Sequence, residues 1–230
     1  MKALTLRITL LSDTIFGTSS GVSTFVDIDI QTDDYGCPYL GARAIKGLLR
    51  DECAQILFSL EQIGQLDAWL PSAFRLFGKP GDAVNDESLL HIQNAVISKE
   101  LHDAIRYQVE DMPIRGTKIS KDEILTAFTD IRYQTAINHE TGTAKDKSLR
   151  SKRVILRNQY YEAPVLYNGD NEQDLALLAA CVKALRKAGT DRNRGSGEIH
   201  VELRGENGSN LTDHYCKILE NKLQPEGSKV

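Results

Sequence analysis

The residues best suited to chemistry in this chain are cations set beside glycines. The stretch GTDRNRGSGEIHVEL, residues 189–203, places Arg192 and Arg194 next to Gly195 and Gly197, just before an alternating apolar run. Glycines permit a tight turn or the close approach of another backbone. Backbone N–H groups in such a turn hold phosphate, and forked guanidiniums add charge-assisted bonds. The stretch is not a Walker motif, because no Gly-Lys-Ser/Thr precedes a helix. Arg186 and Lys187 lie just upstream, with Asp191 the nearby acid. A second cationic stretch, TAKDKSLRSKRVILR at residues 143–157, carries Lys145, Lys147, Arg150, Lys152, Arg153 and Arg157 against Asp146 alone. One reading is a solvated hairpin flank. The other is a backbone-contacting hairpin for a nucleic acid, which positions the polyanion without reading its bases. Tyr160 and Tyr161 stand close enough in sequence to stack on bases, or to be core residues at a strand end.

These local cations sit in an acidic whole. The chain has 230 residues, 28 Lys and Arg against 32 Asp and Glu, and a formal net charge of −4. That excludes a generic polyanion binder with a basic surface all round, and leaves room for a local basic groove. The length is enough for a sizeable core. Cys37, Cys53, Cys181 and Cys216 form no Cys-x-x-Cys pair, so neither a zinc knuckle nor a disulfide framework is expected. The opening residues lack a secretory core, and no apolar run is long enough to span a bilayer. A cytoplasmic protein with no membrane partner is expected. His91, His102 and His139 share no partnered spacing, and no Ser-His-Asp grouping emerges.

The elements that position these residues follow from periodicity. Leu4, Leu6, Ile8 and Leu10 alternate with polar residues and predict a half-buried strand. FVDIDIQ, residues 25–31, reads as extended, and DDYGCP turns it. Ile45, Leu48, Leu49, Cys53, Ile56, Leu57 and Leu60 fall on one stripe and predict a helix over 42–60. Residues 91–98 read as a strand, 110–122 as loop, and a strand is entered near Arg132. Leu175, Leu178, Ala179, Val182 and Leu185 share a helical face, with Gly189 as its C-cap. Ile199, Val201 and Leu203 form the apolar face of a late strand, and a short helix ends the chain. The order predicts an α+β fold, a ferredoxin-like (RRM-like) βαββαβ core with an inserted hairpin and loops. Residues 1–61 and 165–205 are expected to be its halves, and 62–164 the insertion, within one 1–230 module.

Three segments in this order resemble the RAMP proteins of CRISPR-associated type III effector complexes. PYLGARAIKGLLRDEC matches the family pattern at Pro38, Ala42, Ile45, Lys46, Gly47 and Arg50, with Arg43 and Ala44 where serines are usual. HETGTAKDKSL is similar to the segment entering the family's thumb hairpin, matching at Thr141, Gly142, Thr143 and Ala144. DRNRGSG, residues 191–197, is similar to its late glycine-rich loop. The resemblance implies a subunit that binds CRISPR RNA, pairs it with complementary target RNA and contacts other RAMP subunits. Arg43, Lys46 and Arg50, Lys145, Lys147, Arg150, Lys152 and Arg153, and Arg192, Arg194, Gly195 and Gly197 are the implied RNA contacts. A thumb over residues 138–160 is expected, with Leu149 as the wedge between base pairs.

FVDIDIQ is similar to the loop that carries the catalytic aspartate of the family's backbone subunits, which points to Asp27 with Asp29 as helper. In an extended chain the two share a side. Such a pair could hold Mg²⁺ or a similar divalent cation while an RNA 2′-hydroxyl attacks its own phosphate. The implied activity is a metal-dependent endoribonuclease acting within a complex. The alternatives are a non-catalytic structural or capping RAMP subunit and a CRISPR RNA processing endoribonuclease. The latter ranks third for want of a placed histidine.

Overall fold

Nine residues of alternating pattern open the fold. β1 (Lys2–Leu10) buries Leu4, Leu6, Ile8 and Leu10 on one face and leaves Thr5, Arg7 and Thr9 half-buried on the other. The computed structural model of the protein describes residues 1–17, 26–79, 88–110, 118–137, 141–145, 147–192 and 195–224. The expectation for Arg194 lies outside these residues, as do His139 and Asp146.

β1 is central in a four-stranded antiparallel sheet. Its partners are β5 (Tyr160–Tyr167) on one side and β6 (Ile199–Gly205) on the other. β2 (Leu90–Ile92) closes the far edge by pairing with β5, so the order is β2-β5-β1-β6. α1 (Ala42–Gln62) buries Ile45, Leu49, Cys53 and Leu60, and packs on α5 (Glu172–Ala184). Strand, helix, two strands, helix and strand, in this sheet order, make the ferredoxin-like βαββαβ core. α5 is the best-buried element. Leu175, Leu177, Leu178 and Val182 are all fully covered, worth about 1.5–3 kcal/mol each in removal from water.

Among the described residues, charge is buried where it is paired, at Lys152 and Asp174. Asp174 in the first turn of α5 accepts from Arg75 Nε at 2.9 Å and Nη2 at 2.6 Å, and from the Tyr167 hydroxyl at 2.8 Å. Arg75 comes from α2 (Leu66–Phe77), which is thereby tied to α5. The terminal α6 (Thr212–Leu223) also lies on α5.

The halves are not divided as expected. Inside the 62–164 stretch, α2, β2 and the start of β5 are parts of the core. The material between β2 and β5 is the true insert, and it holds two helices that periodicity does not separate from loop. α3 (Lys99–Glu110) buries no residue fully. It is held by His102 Nε2, 2.9 Å from Asp33 Oδ2, and by the Tyr35 hydroxyl, which donates to Glu110. α4 (Lys121–Phe128) starts on a capping box: the Ser120 hydroxyl accepts from the Glu123 N–H, and the Glu123 carboxylate accepts from the Ser120 N–H. Gly189 is not the C-cap of α5, which ends at Leu185.

The hairpin exists, with its stem set earlier than expected. β3 (Thr129–Gln134) pairs with β4 (Arg150–Ile155) as a separate two-stranded sheet. The hairpin stem is therefore Thr129–Gln134 with Arg150–Ile155, not 138–160, and Tyr160 and Tyr161 already belong to β5. Tyr161 is a core residue, edge-on to Phe16. The hairpin base is stitched to the core: Ile155 N–H donates to Thr14 O at 2.7 Å and Asn158 N–H to Leu10 O at 2.9 Å.

Candidate nucleic-acid interface

The glycine-rich loop is shaped by contacts within the protein at two of its three glycines. Gly189 has φ +86°, and a Cβ there would come 2.4 Å from the Ile15 carbonyl oxygen. Gly197 has φ +78°, and its Cβ would come 2.2 Å from the Ala188 oxygen. Gly195 differs: it has φ +79°, and the space beside it is open. The loop is closed by Ala188 N–H donating to Gly197 O and Gly197 N–H to Asp13 O, at 2.9 and 3.1 Å. Of the glycines expected to meet RNA, Gly195 faces open space and Gly197 is buried.

A lysine ties this loop to the hairpin. Lys152 on β4 is 5% exposed, and its Nζ donates to Asp191 Oδ2 at 2.8 Å. The basic run suggests an RNA-facing Lys152. Burial in an ion pair instead makes it the link between hairpin and loop. Asp191 itself sits at φ +61°.

The aspartate segment runs along the same strand. Ile28 bridges Lys152 in parallel, so Asp27 and Asp29 meet the residues flanking it. Asp27 Oδ2 accepts from the Ser151 N–H at 2.6 Å and the Ser151 hydroxyl at 3.1 Å. The Asp27 N–H donates back to Ser151 O at 3.0 Å. Asp29 Oδ1 accepts from Arg153 Nε at 3.0 Å and from the Ile30 N–H at 2.9 Å. The two carboxylates do share a side. Asp29, however, is committed to Arg153, so Arg153 too is engaged within the protein. Asp27 is exposed, and the Ser151 N–H, then its hydroxyl, then the Arg150 charge hold its carboxyl below the ordinary carboxylate value. Among the described residues no group of three or more His, Cys, Asp or Glu could hold a metal ion. A single exposed carboxylate could supply one oxygen ligand to a hard cation such as Mg²⁺.

The remaining predicted cations divide between two surfaces. Lys145, Lys147 and Arg150 are exposed on the hairpin, with Leu149 at 68% exposure. Between hairpin base and glycine-rich loop lies a cleft of about 680 Å³ lined by Arg132, Tyr133, Gln134, Arg157, Gly195 and Ser196, among others. Sequence reasoning does not single out Arg132. Nothing local marks it, since the hairpin pairing is what brings β3 to the loop; its guanidinium also reaches Asp13 at 2.9 Å and Asp130 at 2.8 Å. On the loop's other side, a cleft of about 390 Å³ separates Thr190 and Arg192 from α1 residues Ala44, Gly47, Leu48 and Asp51. Arg43, Lys46 and Arg50 lie about 100° round the helix from that wall. Arg43 and Arg50 are exposed, and Lys46 Nζ donates to Ser88 Oγ at 2.6 Å. The α1 wall is acidic: burial and the Asp51 charge raise the Glu52 pKa, and the Arg192 charge opposes them. The hairpin side of the loop is therefore the more cationic of the two.

Comparisons with known proteins agree with this architecture. A chain in the type III-B Cmr-beta structure bound to cognate target RNA superposes with a TM-score of 0.62 at 12% identity, covering 88% of this chain and 97% of that chain. A chain of type III-B Cmr-beta in the apo state gives 0.59 at 12% identity, over the same shares of 88% and 97%. These likenesses carry the fold. No curated protein sequence matches the chain. No helix among the described residues is long and apolar enough to cross a membrane. The family model of the RAMP superfamily matches residues 7–200, so the chain belongs to the RAMP superfamily.

Proposed function

We propose that this protein is an RNA-binding subunit of a type III CRISPR effector complex of the Cmr kind, and that it cleaves complementary target RNA beside Asp27. The observation that carries the reading is one assembly. The hairpin, the glycine-rich loop and the aspartate segment meet on β4 through Lys152–Asp191 and Ser151–Asp27. The family match and the likeness to chains of Cmr-beta, one of them bound to cognate target RNA, support it. Arg150, Arg157 and the Gly195 turn offer phosphate contacts, Arg192 adds charge across the loop, and Leu149 stands out for insertion between bases. CRISPR RNA, target RNA and neighbouring RAMP subunits are the partners, in the cytoplasm.

In the reaction, the 2′-oxygen gives its proton to water and bonds to the adjacent phosphorus while the bond to the 5′-oxygen breaks, and that oxygen takes a proton from water, leaving a cyclic phosphate and a 5′-hydroxyl. No protein nucleophile is required. A carboxylate held below its ordinary pKa is a poor proton acceptor and a good orienting charge. Asp27 would hold a divalent ion beside the scissile phosphate and so orient it, with the charge neutralisation that such an ion would supply. The second reading is a structural subunit that binds RNA without cutting, and a specific observation favours it: Asp29, the other acid of the segment, is neutralised by Arg153.

Binding is tested with Arg192→Ala/Arg194→Ala. RNA association in the reconstituted complex should weaken at low salt, and the log–log salt slope should become shallower by roughly 0.7 for each phosphate that the variant no longer neutralises. Filter binding across a salt series measures both, and unchanged association with an intact fold would remove the phosphate role of the loop.

The hairpin is tested separately with a 2-aminopurine placed in the guide–target duplex. Inserting an apolar side chain unstacks a base step at a cost of about a few kcal/mol. Leu149→Ala should lower the 2-aminopurine emission toward that of a stacked duplex, while target affinity stays within about three-fold. Emission equal to the parent's at every position of the duplex would exclude Leu149 as the wedge.

A further inference from the structure

We infer that the Ser151 hydroxyl, carried on the hairpin strand β4, is the positioning group for the Asp27 carboxylate. The inference rests on the catalytic reading of Asp27 above. Ser151 and Asp27 close a small ring: the Asp27 N–H donates to Ser151 Oγ at 3.2 Å, and Ser151 Oγ donates to Asp27 Oδ2 at 3.1 Å. The Ser151 N–H joins on the same Oδ2 at 2.6 Å. The two contacts to Oδ2 fix the side chain on one edge, and the Asp27 N–H holds the hydroxyl in place. Both Ser151 contacts fall on Oδ2, so the ring decides which oxygen faces outward. A short carboxylate on an exposed segment otherwise samples several rotamers, and only some present that oxygen to a phosphate.

The location of the serine matters as much as its bonds. Ser151 follows Arg150, and the exposed Leu149 precedes both on the hairpin. The neighbouring rungs, Ile28 on Lys152 and Asp29 on Arg153, hold the aspartate segment in parallel register with β4. A hairpin seated on target RNA thus carries the orienting group and the carboxylate together. The same strand that engages the duplex aims the carboxylate.

The test uses the reconstituted effector complex with guide RNA and a labelled complementary target RNA, in single-turnover cleavage over a target concentration series. Parent, Ser151→Ala, Ser151→Thr and Asp27→Ala complexes are compared. A hydrogen bond to a charged group has a net worth that converts to about ten-fold in rate when realised only in the productive geometry. Ser151→Ala should therefore lose about ten-fold in rate at saturating target, with half-saturation unchanged within about two-fold. Ser151→Thr, which keeps the hydroxyl, should return to within about two-fold of the parent rate. Parent-like cleavage by Ser151→Ala beside an inactive Asp27→Ala would overturn the inference and leave the catalytic reading standing. A loss that threonine does not restore, or one that appears only in half-saturation, would also overturn it. Full cleavage by Asp27→Ala would overturn the catalytic reading beneath it.

Discussion

Asp27→Ala is expected to abolish target cleavage at the position this subunit serves, while complex assembly and target binding remain. Removing a group that stabilises the reacting phosphate costs about a hundred-fold or more in rate. Asp29→Ala should do less to the chemistry and more to the fold, because Arg153 would lose its carboxylate partner, with both side chains largely covered. Asp27→Asn separates charge from shape. The asparagine carbonyl still accepts from Ser151, so the segment keeps its place, and only the negative charge is lost. Loss of cleavage in both Asp27 variants, with target affinity within about two-fold of the parent, would assign the rate to the charge. A full cleavage ladder in either variant would instead leave the structural-subunit reading. The pH dependence carries a sign. The Ser151 N–H and hydroxyl and the Arg150 charge lower the folded-state pKa of Asp27 from its ordinary 3.8. The ionised form therefore persists below the ordinary carboxylate range and is lost only as pH falls through the lowered value. Single-turnover rates should show no titration of Asp27 between about pH 5 and 8.

The largest structural effect is expected at Gly197. Its positive φ strains any side chain by about 1–2 kcal/mol. A Cβ would also sit 2.2 Å from the Ala188 oxygen, so the backbone must move and the bonds of Gly197 to Ala188 and Asp13 must open. Gly197→Ala should cost about 3 kcal/mol or more, a fall of roughly 6–12 °C in Tm for a domain of this size. Gly195→Ala carries only the φ strain, because nothing lies within 4 Å of the new Cβ. It should cost about 1–2 kcal/mol, yet reduce RNA association more than its stability loss accounts for. Thermal unfolding of the purified subunit, paired with RNA binding of the assembled complex, measures the contrast. Equal losses of stability at the two glycines would refute the distinction between a glycine that closes the loop and one that leaves room for a ligand.

Local periodicity is enough to place β1, α1, α5 and β6, because a buried face repeats every two residues on a strand and every three or four on a helix. It is not enough for α3, which buries no residue fully and takes polar contacts from Asp33 and Tyr35. The turn-rich TGTAKDKS locates the hairpin tip but not its stem. TDIRYQ and RSKRVI carry few apolar residues, so their pairing leaves little trace in composition. Segment order likewise does not show that β2, in the middle of the apparent insertion, closes the sheet edge.

The candidate site divides along the same line. The residue types near the glycines, the basic run and the aspartate segment are all present in the sequence, and with them the chemistry of phosphate and carboxylate. Which cations remain outward is decided by tertiary structure. Lys152 and Arg150 look alike in the basic run, but Lys152 finds Asp191 across 39 residues and is buried. Asp27 and Asp29 look like a pair until Arg153 takes one and Ser151 orients the other, each contact spanning 124 residues. The reason is physical: a charge is neutralised or exposed according to its nearest neighbour in space, and sequence periodicity reports only neighbours within a turn or a strand.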